Sequence, residues 1–300
     1  MKDMQHVFKN GIMKTIKKQV SLWGFVLIHV IAMISAAVTA MNGGDFQISM
    51  GLFGILLFSY FAGASLFGFG NMILMNVISA ACAFLFENTS VSFGFPFGYF
   101  NHFAEGIRIV NVPLQVGFGY YFYAFAGWLL ADLLIGRKGQ NDLVSKIGRP
   151  LIGAFIASGM DLTTDAINGL VNGDYEYPAG GGFFGSPLTN SLGWIFTVFV
   201  TLLLWEILII PRVAKKDNSR IGTASSWHLQ NAILVALQVT APLIGFPTVK
   251  DFTVTDCLGY SWQAHYAYES STMIALLALV MAGIIGTLVW IRRRAAEKTA

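Results

Sequence analysis

Eight stretches of about twenty apolar residues, the length that crosses the hydrocarbon core of a bilayer, follow one another along this 300-residue chain. In hydrocarbon every backbone N–H and C=O must be satisfied within the protein, which leaves only helices and closed barrels. Runs this long and continuous predict helices. The expected spans are 22–41, 48–67, 70–87, 112–135, 149–170, 190–211, 228–246 and 270–291. Only 12% of the residues are charged, against about 25% in soluble domains. The expectation is an all-α, polytopic membrane helix bundle. It forms one integral membrane domain over 1–300, with a basic N-terminal segment at 1–21 and a tail at 292–300.

Cations set the expected orientation. Lys9, Lys14, Lys17 and Lys18 precede the first span, and Arg137, Lys138, Lys146 and Arg149 lie between the fourth and fifth. Arg212, Lys215, Lys216 and Arg220 separate the sixth from the seventh, and Arg292, Arg293, Arg294 and Lys298 follow the eighth. Eight spans put all four clusters on one side, predicted to be cytoplasmic together with both termini. The loops 42–47, 88–111, 171–189 and 247–269 share the other side and contain only Arg108 and Lys250 as Lys/Arg cations. A net charge of +3 distributed over span ends makes no nucleic-acid-binding patch. Cys82 and Cys257 are too few for a disulfide framework or a thiolate metal site.

Two passages break the apolar pattern: Glu87 to His102 and Asp161 to Trp194. In the fifth span Ser158, Asp161, Asp165, Asn168 and Asn172 recur every three or four residues, which places them along one helical face. Asp161 and Asp165 are then neighbours, with Cβ atoms roughly 5–6 Å apart. An Asp at mid-membrane costs about 2.5–3.5 kcal/mol, so it is retained for a use or a partner. Two adjacent carboxyls in a poorly hydrated place do not both ionise readily, which leaves a neutral acid beside an anion. That pairing suits proton donation and water activation. The alternative is a pair of interfacial acids, solvated or bonded to neighbouring helices.

Glu87 ends the third span before an Asn-Thr-Ser turn, as a further acid of the site or an interfacial one. Gly94 to Tyr99 reads as a rigid turn whose aromatics line a pocket mouth or belong to an interfacial belt. His102 is either a proton shuttle or a solvated loop residue. Asp174, Tyr175, Glu176 and Tyr177, then a glycine run with Phe183, Phe184 and Ser186, predict a loop folded over a cavity. Asn190 is a helix cap or a hydrogen-bonding site residue, with Trp194 on its face. His29 and His228 read as packed or hydrogen-bonded core residues. Metalloprotease, nucleotide-binding and nucleophile-elbow motifs are absent. Cofactor-free acid–base chemistry, transport and a structural role stay open.

Four features in chain order carry a resemblance: Glu87 before the G-x-PFG turn of Gly94 to Gly98; Val112-Pro113 opening an aromatic-rich span to Trp128; Asp161 and Asp165; and GGxFFGxPLxNxxGW ending at Trp194. Over residues 80–210 the chain resembles the CruF-type carotenoid 1',2'-hydratases, the family that includes bisanhydrobacterioruberin hydratase. The resemblance implies a hydro-lyase that adds water across the terminal C1–C2 double bond of an acyclic carotenoid ψ-end. It implies no cofactor, a lipid-soluble carotenoid substrate, other carotenoid-pathway enzymes as partners, and a bacterial or archaeal cell membrane. On this reading Asp161 and Asp165 share the acid and base roles, with Glu87 second in line as proton donor. Tyr99, His102, Tyr175, Phe183, Phe184 and Trp194 face the substrate, and Asn190 orients water. Ala166, Tyr175, Tyr177, Phe100, His102 and Ser186 depart from the usual pattern and bear on the substrate more than on the fold. A small-solute transporter and another isoprenoid-lipid enzyme are the alternatives.

Overall fold

The computed structural model describes residues 23–136, 142–216 and 221–299. The basic segment 1–21 and, from the other clusters, Arg137, Lys138 and Arg220 lie outside the described residues. The helices are α1 Trp23–Met41, α2 Met50–Phe67, α3 Phe69–Phe93, α4 Leu114–Ile135 and α5 Leu143–Ala166. Then come α6 Leu188–Leu208 with its short continuation α7 Ile210–Lys216, and α8 Ser226–Leu237 followed by α9 Thr240–Thr248. Finally α10 Ala264–Ala275 runs through a π-helical turn, Leu276–Val280, into α11 Met281–Thr299.

The eight rods coincide with the eight expected spans, and seven are long and apolar enough to cross a membrane. The exception is α5, which carries Lys146, Arg149, Asp161 and Asp165. It survives at this depth because it packs against α4, α6 and α10. Leu151 and Phe155 form its outward face. The bundle is built around α4, which is buried continuously from Tyr120 to Leu133. Gly127 of α4 meets Gly153 of α5, and a Cβ on Gly127 would strike the Gly153 carbonyl oxygen. Small residues let two membrane helices approach this closely, and the approach brings the polar face of α5 against the aromatic face of α4. Large apolar side chains such as Leu27, Val77 and Ile284 stay exposed on the outside, as lipid contact requires.

Six short strands lie in the described loops: β1 Asn101–His102, β2 Arg108–Ile109, β3 Val112–Pro113, β4 Tyr175–Glu176, β5 Thr253–Thr255 and β6 Ser261–Gln263. β1 pairs antiparallel with β4, with His102 opposite Tyr175. This pairing ties the two polar passages to each other through backbone hydrogen bonds. The β5–β6 hairpin lies over the glycine loop: Cys257 Sγ donates to the Tyr177 carbonyl at 2.9 Å, and the Phe184 and Trp262 rings sit 4.9 Å apart. Asp45 and Lys250 share a cavity wall with Asn168, so the first cation-poor loop joins the same end. At the opposite end Arg293 donates to the Leu134 carbonyl at 2.9 Å. The four cation-poor loops therefore gather at one end of the bundle, as an even span count requires.

Three of the boundaries that differ from expectation involve charged residues. α3 continues past Glu87 to Phe93 and stops at Gly94, which is left-handed at φ 78°. Asn88, Thr89 and Ser90 are thus helical rather than a turn, and Glu87 points from within the helix. Ser90 Oγ accepts the Phe97 amide at 2.9 Å and holds the turn that follows. α5 begins at Leu143, capped by Asp142, whose carboxylate accepts from the Ser145 amide at 2.7 Å. Arg149, counted above as a loop cation, is therefore inside the helix and fully buried. α11 runs on through Arg292, Arg293 and Arg294 to Thr299.

Candidate active site

Three carboxyls from two helices converge on one cavity of about 310 Å³ at the loop-rich end. Glu87 comes from α3, and Asp161 and Asp165 come from successive turns of α5. No lysine or arginine is among the residues lining it. The acids are held differently. Glu87 Oε1 accepts from the Tyr120 hydroxyl at 2.6 Å, and its Oε2 lies 3.2 Å from His102 Nε2. Asp165 Oδ1 accepts from the Tyr175 hydroxyl at 2.6 Å and from Asn190 Nδ2 at 3.0 Å. Asp161 is partly exposed, and the cavity is what it opens onto. No described side chain hydrogen-bonds its carboxyl. It lies within electrostatic range of both Asp165 and Glu87.

The walls are aromatic. Trp194 stacks on Tyr120 with centroids 4.2 Å apart and planes at 1°. Tyr123 meets Trp194 edge-on at 5.5 Å, and Phe100 leans on Tyr177 at 5.5 Å. Tyr175 belongs to a loop beyond the spans. Burial, reinforced by the charges of Asp165 and Asp161, holds its phenol well above the ordinary value, so it stays protonated and donates to Asp165. α5 ends in a π-helical turn, Ile167–Val171, a feature that often marks functional sites. It shifts the helical register, so Asp161, Asp165 and Asn168 line the cavity while Asn172 turns outward to an exposed position. Beyond it Gly181 has no room for a Cβ against the Ser186 carbonyl. That tight turn carries Ser186 and Asn190 back toward Asp165.

The structure thus brings together Glu87, Asp161, Asp165, His102, Tyr175, Asn190 and Trp194 from the sequence analysis. Asn190 sits inside the first turn of α6, which starts at Leu188, so it is not the cap; its amide is spent on Asp165. Three expected pocket residues lie elsewhere. Tyr99 folds over Gly94 and is 58% exposed. Phe183 and Phe184 pack edge to face at 5.3 Å, and the Phe183–Ser186 bridge turns the pair toward the β5–β6 hairpin; neither lines this cavity, and Phe184 lines a neighbouring one that Asp165 also borders. Tyr120 and Tyr123 were not singled out, and Tyr177 was named only as part of the covering loop. Their signal was a set of polar-tipped aromatics set against acid-bearing spans.

Sequence reasoning also missed a second buried polar cluster, at the opposite end of α5. Arg149 Nη1 reaches both Glu206 oxygens at 3.2 and 3.3 Å, and Arg149 Nε lies 3.5 Å from Asp132 Oδ1. Asp132 Oδ2 accepts the Gly222 amide at 2.8 Å and stands 3.2 Å from His228 Nε2. Trp128 Nε1 donates to Glu206 Oε1 at 2.8 Å. His228 is the hydrogen-bonded core residue expected of it. His29, 2.9 Å from Thr240 Oγ1, is another.

Residues 46–250 match the family described as carotenoid biosynthesis protein. Neither the curated proteins nor the solved structures yield a match. The matched stretch covers more than half of the chain, holds all three site carboxyls and includes the aromatic walls that enclose them. This polytopic helical membrane protein belongs to the carotenoid biosynthesis protein family.

Proposed function

We propose that the protein hydrates the terminal C1–C2 double bond of an acyclic carotenoid ψ-end, giving a tertiary alcohol. The observation that carries this reading is the meeting of Glu87, Asp161 and Asp165 around one aromatic-walled cavity without a lysine or arginine. Alkene hydration needs a placed acid, surroundings that tolerate a carbocation, and a base for water. Asp161, the carboxyl with no hydrogen-bond donor on it, delivers its proton to C2. The π electrons form the new C–H bond and leave a tertiary cation at C1. The faces of Tyr120, Tyr123 and Trp194 stabilise that cation. Water attacks C1 through oxygen and loses a proton to Asp165. Return of that proton to Asp161, its neighbour on the helix, restores both groups, so the net change is addition of one water. Glu87, held by Tyr120 and His102, is the second choice as donor. The cavity falls at the small end of the range for ligand pockets, about 300–1,000 Å³. It accommodates the end of a polyene whose remaining length stays in the bilayer.

The test is expression of the chain in cells that make lycopene, with pigment analysis by mass. A gain of one water per modified end is expected. Unchanged pigments in the presence of well-folded membrane protein would reject the reaction.

A further inference from the structure

A second cavity, of about 260 Å³, lies against the first. Asp165, Tyr175 and Tyr177 line both, so these residues form the partition between them. The two chambers differ in chemistry. The first is walled by aromatic rings. The second mixes polar loop residues, Glu176, Ser186, Thr255 and Asp256, with apolar ones, Phe103, Leu170, Phe184 and Val254. Thr255 and Cys257, also in its wall, are exposed, so the second chamber reaches the loop surface. Asp165 uses Oδ1 for Tyr175 and Asn190. Its Oδ2 is buried and has no hydrogen-bond partner among the described residues, with the Ser186 hydroxyl close by. A buried carboxylate oxygen without a donor calls for a ligand, and the polar groups at this end of the second cavity give an ordered water partners beside it.

We infer that the second cavity is the water chamber of the site: it supplies water to Asp165 from the loop side while the polyene end occupies the first cavity. The inference rests on the hydration reading above and adds the route of its second substrate. It explains how an apolar cavity can be fed water without flooding the cation. On this route water meets the site at the partition, where Asp165 is the one acid that both cavities touch. A third cavity of about 580 Å³ is more polar than the second, but it meets the first at Asn168 and Asp174 and at none of the three site acids.

Cys257 gives a handle at the mouth, because the other cysteine, Cys82, is buried. The full-length protein is treated with a small or a bulky methanethiosulfonate, and Thr255→Trp narrows the same mouth without reagent. The bulky adduct and Thr255→Trp are expected to slow hydration about tenfold, with polyene binding, read from its absorption shift, unchanged. Cys257→Ala protein has the same rate with reagent as without it. Full turnover in both blocked proteins overturns the chamber and leaves the hydratase reading intact. So does loss of polyene binding in place of rate, or a loss found instead in Ser49→Trp, which fills the third cavity. Absence of hydrated pigment from untreated protein overturns both readings together.

Discussion

α5 carries two buried polar clusters, one near each end, and they are built on opposite rules. Near its start, Arg149 stands between Asp132 and Glu206, with His228, Trp128 and the Gly222 amide against the two acids, and Arg149 Nη2 has no hydrogen-bond partner among the described residues. Opposite charges alternate there, and every one of these side chains is at most 3% exposed. Near its end, Asp161 and Asp165 face Glu87, acid beside acid, around an open cavity. A buried ion network holds its geometry because each charge would be costly alone. A cluster of like groups around a cavity gains nothing of that kind, so its retention points to chemistry. The difference teaches how to sort buried charge in a membrane bundle. Opposite charges packed against one another mean architecture; like charges around a cavity mean a site.

Asp161→Asn would break that comparison most directly. No hydrogen bond among the described residues is lost, so the melting temperature in detergent stays, while hydration, read as pigment yield against membrane protein level, falls about a hundredfold or more. Wild-type yield would remove Asp161 from the reaction. Arg149→Met tests the other half. It strands Asp132 and Glu206 and should cost about 3–5 kcal/mol of stability, seen as a lower melting temperature in detergent. The protein that remains folded should hydrate normally. Intact stability with lost turnover would make the inner network part of the site.

Tyr175→Phe sharpens the outer half by removing one donor from Asp165. Hydrogen bonds to charged groups contribute about 1.5–3 kcal/mol, so turnover should drop about tenfold to a hundredfold with polyene binding unchanged. The smallest effect is expected at the rim, where Asp174 lies in a loop. Partial burial lifts its carboxyl above the ordinary value, and the charge of His102 draws it back. An acid so lifted binds its proton more tightly folded than unfolded. That contribution is present below the ordinary carboxylate value and is lost as pH rises through the lifted one. Asp174→Asn should therefore raise the melting temperature slightly at neutral pH and not in acid. Equal shifts at both pH values would contradict the assignment.

The membrane class, the eight rods and the gathering of four cation-poor loops at one end were legible in the chain. So was the pairing of Asp161 with Asp165, which needs only the helical repeat. Glu87 was legible as a candidate but misplaced at a helix end, because Asn88 to Ser90 carry turn-like residues that a packed helix tolerates. Arg149 was misread for a related reason: a cation just before an apolar run looks interfacial until Asp132 and Glu206 are seen beside it. Tyr99, Phe183 and Phe184 failed because aromatic character says nothing about the direction a loop ring takes.

Hydropathy and helical period are local properties, imposed by the need of each backbone segment to satisfy itself in lipid. They determined from sequence that this is a helical bundle and which acids share a face. Which side chains meet across helices is set by non-local packing, above all the contact at Gly127 and Gly153 and the β1–β4 pairing. Only the tertiary structure could bring Glu87, Tyr120 and His102 to the same cavity as Asp161 and Asp165. Only it could separate the acids that face that cavity from the charges that neutralise one another.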